Sequence, residues 1–177
     1  MNRTRVATVW LDGCSGCHMS LLDIDQRLID LADRIEIVYS PLVDAKEFPH
    51  GVDVTLVEGA VASVEDLEKI RLIRSRTKLL VSLGDCAVTG NVPSMRNPFR
   101  LEDVYDRAYR ENVDIQPQRP TLGVPALLER VRPVHEVVKV DVYVPGCPPP
   151  ADAIFHVIAE LLEGRLPNVS ALTRFGR

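Results

Sequence analysis

The chain has 177 residues, one domain's worth and enough for a sizeable core. Its 46% hydrophobic and 26% charged residues are ordinary globular usage, and a net charge of −4 speaks against the basic face of a nucleic-acid binder. No apolar run approaches the roughly 20 residues of a membrane span, and the apolar segment after Arg3 and Arg5 runs into Asp12 too soon for a signal peptide, so a cytoplasmic protein is expected.

Strands and helices alternate along the chain. Arg5–Leu11 (RVATVWL) reads as a buried strand, followed by LDGCSGCHMS with Cys14 and Cys17. Residues 20–34 carry Leu21, Ile24, Leu28 and Leu31 at steps of three and four, the apolar face of a helix. Ile35–Leu42 is a second strand, closed by Pro41, and Val52–Glu58 a third, with Gly59 behind it. Ser63, with Asp66 three residues on, resembles a capping box opening a helix to Arg76. Lys78–Leu83 is a fourth strand leading to Cys86, and Lys139–Val144 a fifth leading to Cys147. A final helix follows, with Ala153, Val157, Ile158, Leu161 and Leu162 as its apolar side and Gly164 as its stop.

This alternation predicts one α/β domain over residues 1–177, a flavodoxin-like doubly wound parallel sheet of about five strands in the order 2-1-3-4-5. An insertion of about fifty residues separates strands four and five; so long a stretch in a compact domain is usually functional or interface-forming.

The four cysteines fall at strand ends. Cys14 lies past strand one, Cys86 past strand four and Cys147 past strand five. In open α/β sheets ligands bind beyond the carboxyl ends of the strands, so the three loops open onto one edge. Gly13, Gly16, Gly84 and Gly146 flank these cysteines and permit close backbone approach. Pro148 follows Cys147, a Cys-Pro step also seen in ferredoxins. Three chemistries remain open. A thioredoxin-like disulfide leaves Cys86 and Cys147 without a role; structural zinc prefers two close pairs; a four-iron cluster employs all four thiolates.

The stretches WLDGCSGCHMSLLD, VEGAV, SLGDCAVTGNVPSMRNP and VPGCPPPADAIFHVI together resemble the small subunit of nickel–iron hydrogenases, above all the short form found in soluble, NAD-reducing enzymes. The resemblance covers nearly the whole chain. It implies one 4Fe-4S cluster held by Cys14, Cys17, Cys86 and Cys147, with Gly16, Glu58, Gly84 and Pro148 near the cluster or the subunit interface. It also implies a hydrogenase large subunit carrying the nickel–iron site, and iron–sulfur/flavin diaphorase subunits that hold FMN and reduce NAD. Periplasmic and membrane-bound relatives carry a twin-arginine signal and two further clusters; this chain ends at Arg177 with no spare cysteine. The related subunit of respiratory complex I has adjacent cysteines, whereas Ser15 and Gly16 separate the pair here. Another cytoplasmic hydrogenase, a complex I-like enzyme, or a zinc or disulfide α/β redox protein are the alternatives.

Glu58, at the end of strand three, is a candidate polar contact or proton-path group at the large-subunit interface, against a plain carboxylate facing water. His18 reads as a helix-start residue; His50, His135 and His156 lack metal-like spacing. Trp10 suits core or interface packing, and Met19 and Met95 suit a subunit contact. No phosphate-cradling loop supports FMN bound to this chain.

Overall fold

A computed structural model describes residues 3–176. The strands in chain order are β1 (Thr4–Trp10), β2 (Ile35–Tyr39), β3 (Val52–Glu58), β4 (Val61–Ser63), β5 (Thr77–Leu83), β6 (Leu127–Arg132) and β7 (Val142–Val144). All but β4 and β6 join one parallel sheet in the spatial order β2-β1-β3-β5-β7, which is 2-1-3-4-5 when only these five are counted. Its strands are apolar on both sides because both faces are covered. On one face Leu56, Val81 and Leu83 pack against Cys17 of α1 (Gly16–Leu22), Ile24 in the turn after it, Leu31 of α2 (Arg27–Ala32), and Ile154 and Val157 of α6 (Ala151–Leu162). On the other, Val9, Val57 and Leu80 meet Ile70 and Ile73 of α3 (Val64–Arg76) and Val134 from the insertion. Each such fully buried aliphatic side chain contributes roughly 1.5–3 kcal/mol.

The capping box forms as expected. Ser63 Oγ accepts from the Asp66 N–H at 3.1 Å, and Asp66 returns the bond to the Ser63 N–H at 2.9 Å. Two expectations need correction. The single helix expected over 20–34 is two short helices, α1 and α2, because Asp25 adopts φ 57 and breaks the spiral between them. Strand five begins at Val142, three residues later than its apolar pattern suggests.

The insertion contributes to a small second sheet, in which β4 pairs antiparallel with β6. Between them in sequence come α4 (Asp85–Thr89), a 3-10 turn at Val92–Arg96, and α5 (Leu101–Asp106), which widens into a π-helical turn at Arg107–Glu111. The insertion packs on its own domain. Arg96 donates to the carbonyls of Ala62, Leu128 and Glu129, and Asn97 exchanges two hydrogen bonds with Val131. No described helix is long and apolar enough to cross a membrane.

Candidate metal centre

Three loops leave the carboxyl ends of parallel strands and bring the four thiols together. The β1 loop turns through Ser15, at φ 66, so that α1 starts at Gly16 with Cys14 before it and Cys17 inside its first turn. The β5 loop bends at Gly84 into α4, which carries Cys86; the β7 loop reaches Cys147, joined to Pro148 by a cis bond. Gly84 is required twice over. Its φ is +81, and a Cβ there would stand 2.2 Å from Cys17 Sγ. A Cβ on Gly16 would stand 3.2 Å from Cys14 Sγ and 4.0 Å from Pro148 Cβ. Gly16, Gly84 and Pro148 therefore do lie against the thiol-bearing loops.

All four cysteines are free: Cys14 and Cys147 exposed, Cys86 half-buried, Cys17 buried. Burial first, then the Glu58 carboxylate, then Cys86, Cys14 and Cys147 push the Cys17 thiol well above its ordinary range. Cys86 is pushed up to about 11 by burial and by Cys14 and Cys147, with the Val92 N–H pulling the other way. The thiols are thus near enough to oppose each other's ionisation. A nucleophilic Cys-x-x-Cys shows the reverse, a thiol lowered by its surroundings. At neutral pH these surroundings favour the neutral thiols of Cys17 and Cys86. One donor for the sulfurs is in place: Asn91 Nδ2 lies 3.6 Å from Cys147 Sγ.

Glu58 does not face water. It is 3% exposed, and its carboxylate accepts the backbone N–H groups of Cys17 (3.3 Å) and His18 (2.9 Å). The same oxygen that takes the His18 N–H also pairs with His18 Nδ1. His18 is 2% exposed, and Trp10 meets its ring edge-on with centroids 5.2 Å apart. The end of β3 is thereby clamped to the first turn of α1. Sequence reasoning treats His18 as a helix-start residue and misses this pairing. It also misses Asp85, buried at 1%, which accepts the N–H of Gly146 at 2.7 Å and of Gly176 at 2.8 Å. The available signal is a charged residue at the end of an otherwise apolar strand run, directly before a cysteine.

His50, His135 and His156 sit on other elements, and His135 stacks against Tyr143 with centroids 6.0 Å apart. Met19 and Met95 are strongly exposed and Trp10 is at the margin of exposure.

The fold and the site together define a class: a doubly wound α/β subunit that carries four cysteines on three strand-end loops. The chain matches, over residues 14–161, the family described as NADH ubiquinone oxidoreductase, 20 Kd subunit, and belongs to it. Within that family its relatives are hydrogenase subunits. It is 40% identical to the NAD-reducing hydrogenase HoxS subunit delta of Cupriavidus necator, over 92% of this chain and 80% of that protein. It is 32% identical to an iron-sulfur subunit of the F420-non-reducing hydrogenase of Archaeoglobus profundus, over 92% of this chain but only 57% of that longer protein. Among solved structures it superposes on a chain of an NAD+-reducing [NiFe]-hydrogenase in the H2-reduced state with a TM-score of 0.93 and 39% identity, covering 98% of this chain and 99% of that one. The chain is therefore a homologue of the small subunits of nickel–iron hydrogenases, NAD-reducing enzymes among them, and so of an oxidoreductase.

Proposed function

We propose that the chain, acting as one domain, is the electron-transfer small subunit of a cytoplasmic nickel–iron hydrogenase that couples reversible hydrogen oxidation to NAD reduction. The observation that carries the reading is the meeting of Cys14, Cys17, Cys86 and Cys147 from three separate strand ends, with Gly84 stripped of any side chain against Cys17 Sγ. These four residues are the ligands of one 4Fe-4S cluster. When bound, the cluster supplies a one-electron carrier between the partner's nickel–iron site and the diaphorase subunits.

The chain's own residues do the rest. The Asn91 side chain donates to the Cys147 sulfur and stabilises its negative charge, the lever by which a protein tunes an iron–sulfur centre. Glu58, buried against His18, fixes the Cys14–Cys17 turn on the sheet. Met19, Val92, Met95 and Phe99 are exposed on the segments that follow the cysteine loops. They offer an apolar rim for a large subunit, in keeping with a structural relative that is a chain of a [NiFe]-hydrogenase. Nickel–iron, FMN and NAD belong to the partner subunits.

Anaerobic purification with metal and sulfide analysis tests the reading. The expected result is a brown protein with equal iron and acid-labile sulfide, co-purifying with a nickel-containing partner and losing its colour in Cys86→Ser. A colourless zinc protein, or a Cys86→Ser variant that keeps its chromophore, overturns it.

A further inference from the structure

Asp85 immediately precedes Cys86, and Gly146 immediately precedes Cys147. The two preceding residues are bonded to each other twice: the Asp85 N–H donates to the Gly146 carbonyl at 2.9 Å, and the Gly146 N–H donates to Asp85 Oδ1 at 2.7 Å. This reciprocal rung extends the β5–β7 ladder, in which Leu83 pairs with Val144 and the Gly84 N–H donates to the Val144 carbonyl at 2.8 Å. The second carboxylate oxygen takes the Gly176 N–H at 2.8 Å. Asp85 is 1% exposed, and among the described residues no Lys or Arg reaches it. Gly146 cannot be varied to suit: at φ +136 a Cβ would stand 2.5 Å from Pro149 Cα.

From this geometry we infer that Asp85 is a positioning residue for the metal centre, setting the distance between the Cys86 and Cys147 loops through its reciprocal bonds to Gly146 and its bond to Gly176. The inference rests on the cluster reading above. Asparagine has the same shape but only one acceptor oxygen. In Asp85→Asn an NH2 group faces either the Gly146 or the Gly176 N–H, so two donors meet and one arm of the rung is lost.

The test uses the full chain, reconstituted anaerobically with ferrous iron and sulfide. Asp141→Asn is the control, since Asp141 is another poorly exposed carboxylate but is paired with Arg74 and accepts the Leu80 N–H far from the cysteines. In Asp85→Asn, retention of iron against a chelator falls by about 10-fold or more, as for lost outer-shell partners of metal ligands. The cluster that is retained shows a changed electron paramagnetic resonance line shape and a shifted midpoint potential. Asp141→Asn lowers thermal stability and leaves all three unchanged. The inference fails when Asp85→Asn keeps the parent's iron retention, line shape and potential, or when Asp141→Asn alters them as much. A parent chain that takes up no iron and sulfide overturns the cluster reading instead, a result distinct from either.

Discussion

The two edges of the sheet handle buried carboxylates in opposite ways. At the amino ends of the strands, Asp53 meets Lys78 Nζ at 2.7 Å and the Arg5 N–H at 2.8 Å, while Asp141 meets Arg74 at 2.6 Å and the Leu80 N–H at 2.9 Å. At the carboxyl ends, Glu58 and Asp85 are more deeply buried, yet they are held by backbone N–H groups and a histidine, with no Lys or Arg partner among the described residues. Desolvating an anion without a cation nearby is costly. The amino-end edge neutralises its carboxylates with cationic side chains, whereas the carboxyl-end edge ties its own to backbone N–H groups and uses them to hold loops in place. Four thiols sit on that second edge and not on the first.

The largest expected effect comes from Gly84→Ala. The new methyl group must occupy space 2.2 Å from Cys17 Sγ at a backbone φ of +81. Left-handed strain alone costs about 1–3 kcal/mol. Iron uptake on reconstitution should vanish, and normal uptake would break the contrast between the edges. Next is Glu58→Gln, which replaces an acceptor of three hydrogen bonds. It should lower unfolding stability by about 1–3 kcal/mol and weaken iron retention as well; urea titration and a chelator challenge measure the two effects. Stability lost with retention unaltered would make Glu58 no different from an amino-end carboxylate.

Asp141→Asn should cost a similar or smaller amount, about 1–2 kcal/mol, in stability only. Burial pushes the Asp141 carboxyl up, but the Leu80 N–H, Arg74 and Lys139 outweigh it and hold the group below the usual carboxylate range. A carboxylate lowered on folding stabilises the protein above its unfolded value of about 3.9, and that gain is lost as pH falls through the folded value. Unfolding curves of parent and Asp141→Asn should therefore differ at neutral pH and converge in acid. The smallest effect is expected from Lys78→Ala, within about 1 kcal/mol, because the lysine is 73% exposed. A larger loss would show the amino-end edge to be more than a set of screened surface pairs.

Local pattern carried most of the fold into view. The strand order, the capping box at Ser63 and Asp66, and the convergence of three cysteine loops all follow from apolar runs, turn residues and the rule about strand carboxyl ends. The remainder depends on partners far away in sequence. Glu58 meets His18 across 40 positions, Asp85 meets Gly146 across 61 and Gly176 across 91. Periodicity cannot register such bonds. The break at Asp25 escaped because the apolar spacing of Leu21, Ile24, Leu28 and Leu31 runs through it unchanged. β4 and β6 escaped because three residues are too few to show alternation, and because β6 carries Glu129, Arg130 and Arg132.

Arg96 gives the insertion a mechanical meaning. Its guanidinium grips the Ala62 carbonyl, two residues after the Ala60–Asp12 bridge, whose two bonds are 2.7 and 3.0 Å long. Asp12 is two residues from Cys14. A push on the 92–112 segment therefore has a short, stiff load path into the turn that carries the first thiol: Arg96, β4, the bridge, Cys14. A neighbour docked on that segment would strain or relax the cradle without touching a sulfur.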